Sequence, residues 1–86
     1  MDFEFDSEKD RENRRKHGFS LVLGREILEN MLHEELDRDS GPEERWIAYG
    51  FARGHLMVCV YAMRGRSHRI ISVRRATRHE ERTWLG

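Results

Sequence analysis

The sequence predicts a small α+β domain, an antiparallel sheet with helices packed on one face, in the order β-α-α-β-β-β-β-α. Three observations lead there. Ser7–His17 carries helix-end signals at both ends. Leu21, Gly24, Leu28 and Met31 recur at helical spacing. From Arg45 to Arg75, apolar segments are divided by Arg53-Gly54 and Gly65–Ser67, the pattern of consecutive hairpins.

Phe3 and Phe5 alternate with Asp2, Glu4 and Asp6, which predicts a short strand with one apolar face. In Ser7–His17, Glu8, Asp10 and Glu12 lead and Arg14, Arg15, Lys16 and His17 follow. That order complements the helix dipole, and Gly18 is placed to end the helix. This helix has no apolar residue, so it is expected on the surface, with Lys9, Asn13, Lys16 and His17 along one face. Ser20 can cap a second helix, Leu21 to about Asn30, which supplies the main core stripe. His33–Asp39 is short and acidic and suits an edge strand. Arg45–Ala52 and His55–Arg64 form a hairpin. Both parities of His55–Arg64 are apolar, so it is expected at the centre of the sheet. Arg69–Arg75 is the last strand. Thr77-Arg78-His79-Glu80 reads as a capping box opening a terminal helix, which Trp84 and Leu85 would tack down.

The chain of 86 residues is expected to form one domain, 1–86, with a modest core; hydrophobic and charged residues each make up 37%. No apolar run approaches the roughly 20 residues of a membrane span, and the acidic start does not resemble a signal peptide. A cytoplasmic location is expected. Cys59, alone in an apolar run, is expected to fill core. Net charge is zero, yet residues 1–44 carry 7 Lys/Arg and 14 Asp/Glu while residues 45–86 carry 9 and 2. The basic half either faces a polyanion or packs against the acidic half.

Arg69–Thr77 is the most pointed stretch. Ile70, Ile71 and Val73 make a buried strand, while Arg69, Arg74 and Arg75 bracket it, with Arg64, Arg66 and Arg78 just outside. Such a strand can mount guanidinium groups rigidly enough to hold a phosphate. Equally, strand ends simply reach water. The five histidines show no paired ligand spacing with Cys or carboxylates, so neither metal nor cofactor is expected. No Gly-rich phosphate loop and no nucleophile elbow occurs.

Read end to end, the chain resembles the BrnT toxins of bacterial type II toxin–antitoxin systems. The resemblance rests on Phe5-Asp6 with Lys9 and Asn13, on Lys16-His17-Gly18, and on Glu44-Arg45 with Gly50. It continues through Tyr61 with Arg64, Arg69-Ile70-Ile71-Ser72, Arg74, Ala76-Thr77 and Glu80. The family usually has Trp at the place of Phe5. The resemblance implies a ribonuclease fold similar to the RelE toxins and RNA cleavage that blocks translation. It also implies a BrnA-like ribbon-helix-helix antitoxin, two toxins held by an antitoxin dimer, and contact with DNA only through that antitoxin.

Arginine, lysine and histidine suit metal-free RNA cleavage, in which the substrate's own 2′-OH attacks. Arg64 and Arg74 are the expected phosphate and transition-state clamps, since a planar fork donates two parallel hydrogen bonds. Lys16 and His17 would approach from the helix end, with His17 moving protons. Arg69, Arg75 and Arg78 would bind substrate; unbroken alternation puts Arg69 and Arg75 on the parity opposite to Arg74. Glu80 is either a catalytic carboxylate or, as favoured here, the cap of its own helix. The alternative function is a non-catalytic RNA- or antitoxin-binding module acting with its partner in transcriptional autoregulation.

Overall fold

A computed structural model describes residues 1–86. The elements are β1 (Asp2–Glu4), α1 (Ser7–His17), α2 (Leu23–Glu29), β2 (Met31–Asp37), β3 (Arg45–Ala52), β4 (His55–Arg64), β5 (Ser67–Arg75) and α3 (Arg78–Leu85). The order matches the expected one and the class is α+β. The five strands form one sheet, β1-β5-β4-β3-β2, with β4 at its centre. No helix is long and apolar enough to cross a membrane.

Two features depart from the expectation. The sheet is mixed rather than antiparallel, because β1 pairs with β5 in parallel. Alternation of Phe3 with its acidic neighbours specifies the face Phe3 takes, not the direction of its pairing. The helices also lie on both faces. Leu23, Ile27 and Leu28 of α2 join Ala48, Met57, Cys59, Ile70 and Val73 in the main core. On the other face, Tyr49, Leu56, Val58 and Ala76 form a second cluster, against which Trp84 of α3 packs. A strand apolar on both parities needs cover on both faces, and α3 supplies part of the second. Leu85 stays half exposed, so Trp84 alone does the tacking.

Helix α1 docks without an apolar stripe. Its two buried side chains are polar, Asp10 and Asn13. Asn13 donates to the Phe19 and Val73 carbonyls, each at 2.8 Å, and accepts from the Val73 N–H at 3.1 Å. Its amide thus takes the place of a strand residue along the edge of β5 where β1 has ended. Asp10 accepts from the Leu21 N–H at 2.6 Å and the Ser20 hydroxyl at 2.8 Å, which fixes the turn into α2. Burial raises the Asp10 pKa, but these bonds and Arg14 outweigh it and hold the carboxyl below its usual value. Ser20 shapes the turn by accepting from the Val22 N–H, and α2 itself begins two residues later than expected.

Strand β5 contains the detail that matters most for the site. Val60 faces Ser72, but Tyr61 faces Ile70, so Ile71 is an extra residue in β5. This β-bulge resets the alternation. Arg74 opposes Val58 and Arg69 opposes Ala62, both on one parity of β4. Arg69 and Arg74 therefore share a face, contrary to unbroken alternation, while Arg75, opposite Met57, belongs to the other.

Candidate functional site

Directly opposed residues point to one side of a sheet, so the register maps the face that α1 and α2 leave open. One row across it runs His33, Tyr49, Val58, Arg74. The next is Glu35, Ile47, Val60, Ser72; beyond lie Ala62, Arg69 and Glu4, then Arg64 and Ser67. The face is thus a half-buried floor of Ile47, Val60 and Ser72 with guanidinium groups at both ends.

At one end, Arg74 Nη1 and Nη2 donate to Glu80 Oε1 and Oε2, each at 2.8 Å. Nη1 also donates to the Arg75 carbonyl at 3.3 Å. That leaves the edge formed by Nε and the second Nη2 hydrogen, a two-pronged donor held rigid by its neighbours. Glu80 is itself fixed, since it closes the capping box with Thr77 at the start of α3. The expected cap is therefore present, and the same carboxylate orients Arg74. The Tyr49 hydroxyl lies 3.2 Å from Glu35 Oε1 and 3.5 Å from Glu80 Oε2. Burial, then the charges of Glu80 and Glu35, push its pKa up, so it remains a donor. His33 stacks on Trp84 with centroids 3.6 Å apart and stands 4.0 Å from Glu35.

The Arg74 guanidinium holds the Glu80 carboxyl down at about 2, against the opposing effect of burial. The folded-state value lies below the ordinary 4.5, so the pair stabilises fully above about pH 4.5 and loses its contribution as pH falls towards 2. Urea unfolding of wild type and Glu80→Gln should show a wild-type advantage of about 1–3 kcal/mol at pH 7. Near pH 2 the advantage should vanish; an advantage independent of pH would remove the ion pair as its cause.

At the other end is a cavity of about 390 Å³. Arg64, Arg69, Ile70 and Ile71 line it from the sheet, Arg45 from β3, and Asp6 and Lys9 from the start of α1. The β2–β3 loop adds Ser40, Pro42 and Glu43. Arg69 is bound to Glu4 at 3.0 Å. Arg64 and Arg45 approach Glu43 only at 3.9 and 4.0 Å, beyond hydrogen-bond range. Arg45 Nε is buried with no partner. Four ion pairs, Glu4–Arg69, Glu26–Arg53, Glu43–Arg45 and Glu43–Arg64, join an acid of the first half to an arginine of the second. The two halves thus partly neutralise each other.

Lys16 and His17 occupy the exposed last turn of α1, before Gly18 closes the helix at φ 80°. They sit seven and eight residues beyond Lys9, roughly 10–12 Å further along the axis. No hydrogen bond or ion pair joins them to Arg64 or Arg74, and the cavity wall includes neither. Arg75 and Arg78 are exposed without ion-pair partners, outside the floor. Cys59 is fully buried, and burial pushes its thiol up to about 12, which suits core and not nucleophile. No three His, Cys, Asp or Glu side chains converge as a metal-ligand set. Sequence reasoning did not reach His33, Glu35, Tyr49 or Arg45 as site residues. Each takes its place only through the register of β2 on β3, which no local feature of the sequence specifies.

Compared with known proteins, no curated protein matches the chain significantly. A family model, described as ribonuclease toxin, BrnT, of type II toxin–antitoxin system, matches residues 5–80. The match spans both arginine-bearing ends of the open face and helices α1 and α2, and it ends at Glu80 in the first turn of α3. The chain belongs to the BrnT family of ribonuclease toxins of type II toxin–antitoxin systems.

Proposed function

We propose that this chain is a metal-independent endoribonuclease with a RelE-like fold, acting in the cytoplasm to stop translation by cutting RNA. The observation that carries the reading is the bulge at Ile71, which brings Arg69 and Arg74 onto one open face with Arg64. The substrate 2′-oxygen would bond to the adjacent phosphorus as the bond to the 5′-oxygen breaks. The products are a 2′,3′-cyclic phosphate and a 5′-hydroxyl. Arg74, oriented by Glu80, would donate its free edge to the equatorial oxygens as their charge grows. Arg64 would clamp the strand at the far end, with Arg69 beside it and Arg75 and Arg78 on the flanks.

Two protons must move. Lys16 and His17 serve this step if RNA wraps the edge of β5. His33, beside Glu35 and in the row of Arg74, is the second candidate and needs no wrapping. Single-turnover rates of His17→Ala and His33→Ala decide between them: the residue that moves the proton is the one whose loss slows cleavage. A cognate BrnA-like ribbon-helix-helix antitoxin would silence the toxin by covering this face, two toxins on one antitoxin dimer. DNA would be reached only through that antitoxin.

The test is cleavage of a defined single-stranded RNA by the purified chain in EDTA. A single 2′-deoxy substitution at the cut site should abolish cleavage. Binding without cleavage of the all-ribose RNA would instead favour the non-catalytic module.

A further inference from the structure

The cavity at the Arg64 end has a role that clamping at Arg74 does not explain. Its cations hold unspent donors. Lys9 has no ion-pair partner, Arg64 and Arg45 reach Glu43 only at 3.9 and 4.0 Å, and Arg45 Nε is buried and unpaired. A buried donor without an acceptor is costly, and an incoming oxyanion would remove that cost. Among the acids in the wall, Asp6 is engaged in capping α1, and Glu43 faces two arginines at once. The wall thus carries four cations, Lys9, Arg45, Arg64 and Arg69, against two carboxylates, Asp6 and Glu43, in a concavity of about 390 Å³. The wall is shaped by the bulge itself, since Ile70 and Ile71 line it.

We infer that this cavity is a second phosphate site, with Lys9 and Arg45 as ligands beside Arg64, and that it holds a backbone phosphate of single-stranded RNA away from the cut. The inference rests on the reading of the chain as an RNA-cleaving toxin. Arg69 and Arg74 are five residues apart on β5, and the Arg64 row lies one further on, which puts the two ends roughly 15–20 Å apart. No single nucleotide covers that span. The floor between, Ile47 and Val60, offers apolar contact to the intervening bases. The substrate is therefore an extended single strand several nucleotides long.

The test uses uncleavable 2′-O-methyl RNA of two and six nucleotides, with binding followed by fluorescence anisotropy across a salt series. Wild type should bind the six-nucleotide strand much more tightly than the two. Lys9→Ala and Arg45→Ala should each weaken the longer strand about three- to tenfold and lower the salt slope by about 1. Lys9 is exposed and unpaired, so its variant keeps the fold if Arg45→Ala does not. Unchanged binding of the longer strand by folded Lys9→Ala overturns the inference while cleavage by wild type still stands. If that variant loses only antitoxin affinity, the cavity is an antitoxin pocket and the inference is equally overturned. A wild type that neither binds nor cuts RNA removes the ribonuclease reading and this site with it.

Discussion

Arg74→Lys is expected to slow single-turnover cleavage of a defined RNA by roughly 10²–10³-fold, the loss that follows removal of one oriented donor from a transition state. Lysine can keep an ion pair with Glu80 but cannot donate along two edges at once. Arg74 now uses one edge on Glu80 and presents the other, and that division needs a planar fork. Arg74→Ala should show the same kinetic loss with about 1–3 kcal/mol of destabilisation added, because Glu80 loses its partner while half enclosed. Arg64→Ala should behave differently. Its side chain is exposed and its one ion pair is long, so the fold should be unaffected. Its cost should fall on KM rather than on the rate of bound substrate. If Arg64→Ala slows the bound step as much as Arg74→Lys does, the reacting phosphate sits in the cavity instead.

The second large effect is expected where α2 meets β3. Leu28 is 5% exposed, and Leu28→Ala should cost about 2–5 kcal/mol. Gly50 is a subtler position on the same interface. A Cβ there would meet the Ile27 carbonyl oxygen at 2.2 Å and that of Asn30 at 2.9 Å. Both are backbone atoms of the end of α2, so neither can swing aside as a side chain would. Gly50→Ala should therefore push α2 off the sheet at a cost of about 3 kcal/mol. For a chain of this size that lowers the melting temperature by roughly 10–20 °C. A Gly50→Ala variant that melts with wild type would mean that α2 does not seat on β3 as described.

The residues reveal much of this in advance, and the failures have physical causes. Helix α1, the hairpin of β3 and β4, the central place of β4 and the Thr77–Glu80 box are written in local patterns of period, capping and turn. Arg53 and Gly54, with φ 55° and 79°, form the tight turn that their dipeptide suggests. The parallel pairing of β1 leaves no such mark, since three alternating residues carry a face and no direction. The bulge at Ile71 is equally silent. Nothing in Ile70-Ile71-Ser72 distinguishes a regular strand from a bulged one, yet one extra residue decides which arginines share a face. The grouping of Arg69 with Arg75 failed for that reason. The docking of α1 was missed in part because Asp10 and Asn13 look like surface residues until their backbone partners are in place.

In the proposed reaction the open face turns the substrate's own 2′-OH on the neighbouring phosphate, with arginine and not metal taking up the charge. The most direct test is to identify the ends left by the purified chain on a defined RNA in EDTA. The expected ends are 2′,3′-cyclic phosphate or 3′-phosphate on one fragment and 5′-hydroxyl on the other, formed by wild type and not by Arg74→Lys at equal time. Fragments ending in 3′-hydroxyl and 5′-phosphate, or cleavage that stops when EDTA is added, would contradict it.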